Sequence, residues 1–285
     1  IKGNSKTKDF VIRRELPIEE GDVFSRDKII SGMRNLMNLQ YFSNVVPEPQ
    51  SGSEQNLVDL VFSVEEQSTT ALQFGMTFSG VTDPDAIPIS LYAKLENSNL
   101  FGEGKSISAS TTISTNEQSV DFTYSQNWIG KLPIAFSQSL AFSHASSYAQ
   151  NNMFLPDLSL NQYNYYMAYE AWSASLNTAF SRRWFPKFAI VTATVGLTDS
   201  LTRYNFNETT FTPTDLGISI FANRLGILNS IWSGISLDNR DLNYDPSKGW
   251  FASERLSWNG LLPGLEKEFF LKSDTKLSGD NTIEV

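Results

Sequence analysis

Side chains able to do acid–base, nucleophilic or metal chemistry are sparse in this chain, and their spacing limits what they could do. His144 is the only histidine and there is no cysteine in 285 residues. A histidine-clustered metal site and a thiol nucleophile are thereby excluded, and a Ser-His-Asp triad would rest on His144 alone. His144 lies in an alternating run, where an ordinary strand histidine is the better reading. Asp83 and Asp85 look like part of a calcium loop, but the rest of that pattern is absent, which leaves a solvated loop. Glu19-Glu20 and Glu65-Glu66 are adjacent pairs with nothing to raise the pKa of one partner, as acid–base work requires. Gly102-Glu103-Gly104 supplies two positive-φ positions and no following helix, so a hairpin turn is expected there rather than a phosphate site. Asp238-Asn239-Arg240-Asp241 with Asp245, Pro246 and Gly249 is denser, and turn chemistry with surface ion pairs accounts for it better than a ligand does. No catalytic residue, metal or cofactor is expected, and the chain is not expected to be an enzyme.

Function must then come from the elements themselves. With 40% hydrophobic and 13% aromatic residues there is enough apolar material for a folded chain. The net charge of -9 argues against a nucleic-acid partner, whose phosphates demand Lys and Arg. No stretch approaches the roughly 20 apolar residues of a spanning helix, so any membrane crossing falls to strands. The start at Ile1-Lys2-Gly3-Asn4 carries no basic and apolar leader, and the chain reads as a piece of something longer.

Only residues 7 to 41 read as helical. Thr7 is placed to cap a short helix through Glu15, and Ser25 to cap a second with Ile29, Ile30, Met33, Leu36, Met37 and Tyr41 at helical spacing. Strands are expected near Asn44 to Pro49, an edge because of its prolines, and Leu57 to Glu65, with Val58, Leu60, Phe62 and Val64 on a buried face. From there on the period is two. About ten strands are expected, at 71–79, 88–98, 105–115, 119–128, 133–147, 170–183, 187–203, 217–238, 249–258 and 268–277, long enough to cross a bilayer at a tilt. From Ile107 to Trp128 the faces are sharpest, with Ser and Thr opposite Ile113, Val120, Phe122, Tyr124 and Trp128. The alternation weakens between Trp250 and Trp258, where Glu254 shares the parity of the tryptophans. Short joins at Asn99 to Gly104, Ile129 to Leu132 and Trp184 to Pro186 contrast with long ones at Tyr148 to Glu170 and Tyr204 to Leu216, as in outer-membrane barrels. Phe101, Trp128, Trp184, Phe185, Tyr244 and Trp250 collect at the short-turn rim as an aromatic girdle. A soluble β-sandwich shares the two-residue period and is the alternative on pattern alone.

Several segments resemble a known family. Lys2-Gly3-Asn4, Thr7-Lys8-Asp9, Ile12-Arg13-Arg14-Glu15, Leu39 to Val45 and Val58 to Glu66 are similar to a polypeptide-transport-associated (POTRA) domain. Asn99-Leu100-Phe101-Gly102-Glu103-Gly104, and Leu237 to Asp241 through Pro246 and Gly249, resemble turns of the barrel in the BamA family of outer-membrane protein assembly factors. The resemblance implies a mainly β fold: residues 1–67 as a small α+β POTRA domain with most of its first strand missing, and residues 68–285 as part of a transmembrane antiparallel barrel, about ten strands of an expected sixteen. The family's Arg-Gly-Phe motif is absent, and Leu277 to Val285 does not read as a barrel strand.

The resemblance further implies a factor that inserts client barrel proteins in the outer membrane, with the N-terminal domain in the periplasm. The expected partners are unfolded clients, assembly-complex lipoproteins and outer-membrane lipid. Its first barrel strand corresponds to Leu72, Gln73, Phe74, Gly75, Met76, Thr77, Phe78 and Ser79. There Gly75, Ser79 and Gly80 are expected to weaken packing, and the backbone of Gln73, Gly75 and Thr77 to template a client. A POTRA-barrel translocation pore of the two-partner-secretion type is the alternative.

Overall fold

The structure, a computed structural model, describes residues 1–54, 56–78, 87, 89–150, 154–156, 166–186, 188–206, 211–213, 225–241, 246–260 and 270–281. Helix α1 (Asp9–Arg13) and helix α2 (Arg26–Asn38) precede strands β1 (Phe42–Ser51) and β2 (Val58–Glu66), which pair antiparallel. Lys2 bridges Ser63 in parallel on the other side of β2, so β1 with Pro47 and Pro49 borders the sheet. Val11, Ile12, Ile29, Leu36, Tyr41, Phe42, Val45, Phe62 and Val64 form the core between the helices and this sheet. Val58, expected on the buried face, is half exposed at the hairpin end of β2, where it pairs with Ser51.

Ser25 caps α2 as expected, accepting from the Lys28 N–H at 3.4 Å. Thr7 does not cap α1. The N-cap is Lys8 with no side-chain cap bond, because the Thr7 hydroxyl is taken by Asn99 from the second part of the chain.

Ten strands make one antiparallel sheet: β3 (Thr70–Phe78), β4 (Ile89–Asn97), β5 (Lys105–Ser114), β6 (Glu117–Gln126), β7 (Ile134–Gln150), β9 (Tyr166–Trp184), β10 (Ile190–Asn205), β12 (Leu225–Asp238), β13 (Lys248–Asn259) and β14 (Phe270–Asn281). Each pairs with its sequence neighbour within the sheet, and β3 and β14 are its two borders. The three-residue strands β8 (Phe154–Pro156) and β11 (Phe211–Pro213) lie in the two long joins and pair with each other, which the expected strands did not include. Residues 217–224 of the expected eighth strand lie outside the described residues. Leu277 to Asn281 belong to β14 after all, paired with Ala252 to Lys248. Ladder bonds use backbone groups, so a polar end with no alternation can still pair.

Parity assigns the two faces. Leu91, Phe122, Phe142, Leu176, Val195 and Ile231 are exposed on one face. The other is lined by small hydroxyls that bond across strands, as in Ser106 with Ser125 at 2.7 Å, Thr123 with Ser139 at 3.0 Å and Ser143 with Ser173 at 2.7 Å. On that hydroxyl face Trp232 lies over Gly196, where an added Cβ would come within 2.3 Å of the ring. Trp232 also donates to Thr198 and carries the Arg255 guanidinium 3.8 Å above its ring.

Candidate functional site

Two features converge where the small domain meets the sheet: a clamp at the turn rim, and the border strand that rises from it. The Lys8 N–H donates to the Gly102 carbonyl at 2.9 Å, and the buried Asn99 amide donates to the Thr7 hydroxyl at 2.9 Å. Asn99 Oδ1 in turn accepts the Gly104 N–H at 2.8 Å, so one side chain shapes the turn and holds the domain. The turn needs its glycines for a second reason beyond the expected positive φ, which is +71° at Gly102 and +68° at Gly104. A Cβ on Gly102 would sit 1.9 Å from the Lys6 carbonyl oxygen, and one on Gly104 would sit 2.3 Å from the Arg14 guanidinium. Phe101 is 77% exposed at the tip, itself at φ +55°.

Charged side chains complete the clamp. Glu103 takes Lys8 at 2.6 Å and Lys105 at 2.7 Å, and those two ammonium groups hold its carboxyl down to about 2. Glu15, 4% exposed at its side chain, accepts from the Trp128 indole N–H at 2.8 Å and faces Arg183 at 3.5 Å. Trp128 was expected in the lipid-facing girdle; instead it serves the domain, its ring also lying 5.7 Å from the Arg14 guanidinium. Burial pushes the Arg14 pKa down, with Glu15 opposing. Burial likewise pushes the Tyr41 hydroxyl up to about 12.

Glu66 ends β2 and folds back on the N-terminal loop. Partial burial alone would raise its pKa, but the Thr7 N–H and hydroxyl, the Lys6 N–H and the Ser5 hydroxyl hold it at about 2. Three linker residues then lead to β3. Gln67 donates through its N–H to the Tyr41 carbonyl and through its amide to the Gln40 carbonyl, so the foot of β3 is tied to the domain.

On β3 itself, Leu72, Phe74, Met76 and Phe78 share the apolar face and are 60% to 76% exposed. Ser79, the last residue expected in this strand, and Gly80 lie outside the described residues. The Ser98 N–H donates to the Thr69 carbonyl, and the register pairs Thr70 with Asn97 and Gly75 with Tyr92. Antiparallel hydrogen-bonded pairs recur every second residue, so the backbone groups of Gln73, Gly75 and Thr77 point to β4 and those of Leu72, Phe74, Met76 and Phe78 point to the open side. The expectation that Gln73, Gly75 and Thr77 present the free backbone is therefore reversed by one residue. Gly75 pairs with Tyr92, whose ring lies 3.8 Å from where a Cβ would stand.

Other expected residues are placed elsewhere. Asp238 receives Arg240 through Nε at 2.9 Å and Nη2 at 2.7 Å, and Asp241 binds the backbone of Ser247 and Lys248, so this motif is turn chemistry as expected. Gly249, at φ +115°, leaves room for Asn239 and Arg240, while Pro246 is half-buried beside it. Tyr244 and Asp245, like Asp83 and Asp85, lie outside the described residues. His144 bonds Gln118 at 2.7 Å and stacks on Trp172 at 4.1 Å, far along the strands from the clamp. The sequence reading gave Thr7, Arg14, Glu15, Trp128 and Arg183 no part in a common site, since only folding brings them together.

The family model described as a surface antigen variable number repeat, POTRA, matches residues 1–67, and that of the Omp85 superfamily domain matches residues 99–283. The chain belongs to the Omp85 superfamily. Among Omp85-type relatives, a protein of Treponema pallidum (strain Nichols) described as an outer membrane protein assembly factor is 37% identical over 97% of this chain and 34% of its own length. The solved BamA from Haemophilus ducreyi lacking POTRA domains 1-3 covers 98% of this chain at TM-score 0.58 and 16% identity, with 50% of that chain matched. CdiB from Escherichia coli covers 92% at TM-score 0.60 and 13% identity, with 44% of that chain matched. Both solved chains share the fold, and this chain spans about a third of the length of the Treponema relative.

Proposed function

We propose that the complete protein is an outer-membrane protein assembly factor that folds and inserts client β-barrels by strand templating, with no bond-making step. The carrying observation is the border strand β3, with an open row of backbone groups, rising from a domain clamped to its foot. A client strand entering lipid exposes N–H and C=O groups, each costing several kcal/mol in hydrocarbon. Pairing with the open side of β3 satisfies them by β-augmentation. The backbone of Leu72, Phe74, Met76 and Phe78 supplies the bonds, and their side chains face lipid. The small domain lies in the periplasm and receives unfolded clients with the help of assembly lipoproteins. The relatives' printed description and the shared fold support this reading.

Single cysteines at Gln73 or Gly75 test it, by disulfide formation with a cysteine in a stalled client strand during assembly. Adducts at successive client positions are expected. Full client insertion with the β3 seam locked shut would overturn the reading. The fold shared with CdiB keeps a translocation pore as a second reading. The number of POTRA domains before residue 1 separates the two, about five favouring assembly and two favouring the pore.

A further inference from the structure

The apolar face of the sheet is not uniform. From β3 to β9 charged residues take the outward parity only near strand ends, at Lys105, Glu170 and Arg182, and along β9 no charge falls between Trp172 and Phe180. From β10 to β14 two carboxylates share the outward parity. Asp199 lies between the exposed Leu197 and Leu201, and Glu254 stands midway between Trp250 and Trp258, beside Ile235. Depth follows from counting. Asp199 is four positions from Arg203, which pairs with Trp172, and Glu254 is four from each tryptophan. In a strand tilted about 40° that places each carboxylate ~10 Å inside the boundary its aromatic neighbours mark.

The two carboxylates are treated differently. Glu254 is satisfied within the sheet, accepting the hydroxyls of Ser273 and Thr275 from β14. Asp199 has no hydrogen bond or ion pair among the described residues, and Arg203 along its own strand donates to Asn205 instead. Hydrocarbon cannot solvate such a group. We infer that the outward wall of β10, β12, β13 and β14 is buried in the membrane against a different membrane protein, one that brings a basic or amide donor to Asp199. A second copy of this chain does not fit. A two-fold axis along the membrane normal opposes residues of equal depth; at the depth of Asp199 this wall has no lysine or arginine, and its amide there, Asn229, is 2% exposed and so cannot reach across to a second copy.

The inference rests on reading the apolar face as membrane-facing, and the test keeps the two apart. In the full protein in its native envelope, a photo-crosslinking residue replaces Leu197 beside Asp199, or Leu140 on the uniform wall. Lipid adducts alone are expected at Leu140; their absence there would overturn the membrane reading itself. At Leu197 one protein adduct of fixed mass is expected, mapping to a partner segment with Lys, Arg, Asn or Gln. It should fall at least tenfold in both Asp199→Asn and Asp199→Leu and return in Asp199→Glu. Lipid adducts alone at Leu197, an adduct to a second copy of this chain, or an adduct indifferent to Asp199→Asn would each overturn the inference.

Discussion

At the residue scale the clamp depends on a few side chains that each serve two partners. Asn99 bonds Thr7 across the junction and the Gly104 N–H within its own turn, and it is buried. Asn99→Ala removes the amide bond to the Thr7 hydroxyl, which keeps Glu66, and leaves the buried Gly104 N–H without its partner, at about 1–3 kcal/mol. The expected result is a lower unfolding midpoint in urea for the domain, with the strand content of the sheet unchanged by circular dichroism. Gly102→Ala meets the Lys6 carbonyl and a left-handed φ together, so it should be the more damaging of the two. Glu66 makes a pH prediction. Its folded pKa of about 2 lies below the ordinary carboxylate value, so its contribution is complete above that ordinary value. It fades as pH falls from about 4.5 toward 2. Glu66→Gln should flatten that part of the stability-against-pH curve, and an unchanged acid transition would remove Glu66 from the clamp.

At the element scale the decisive property of β3 is which parity faces outward to a new strand. Proline removes one N–H donor, and the parity decides which ladder loses it. Phe74→Pro removes a donor from the open side and should lower client assembly while the β3–β4 ladder and the heat-modifiable gel mobility persist. Gln73→Pro removes a donor bonded toward β4 and should disturb the barrel itself. Equal effects of the two on client assembly and on mobility would refute the assigned parity. This parity was not legible beforehand. Alternation in Leu72, Phe74, Met76 and Phe78 reveals which face is apolar, whereas hydrogen-bonding direction lies in the sheet plane and is set by the pairing of Thr69 with Ser98.

At the scale of the whole molecule, the sheet has, among the described residues, ten strands and two borders, β3 and β14. Residues 1–285 refolded alone are expected to give no monodisperse, protease-resistant barrel in lipid. Two open edges leave a row of backbone groups unsatisfied at each side. Recovery of such a barrel from these residues would show that the edges close on each other.

Local physics is what the amino-acid order determined by itself. Two-residue alternation placed nine of the ten strands within about four residues of both ends, the first part of the other, 217–224, lying outside the described residues; the Ser25 cap and helical spacing placed α2, and the glycines of Gly102 to Gly104 placed a turn. Tertiary structure decided what those parts touch. Thr7 left its expected cap for Asn99, Trp128 left the girdle for Glu15, and Leu277 to Asn281 joined β14 through backbone pairing that side chains do not advertise. Helix and strand periods reflect neighbours a few residues away, but the clamp joins residues about 90 to 170 apart, and only the tertiary fold brings those together.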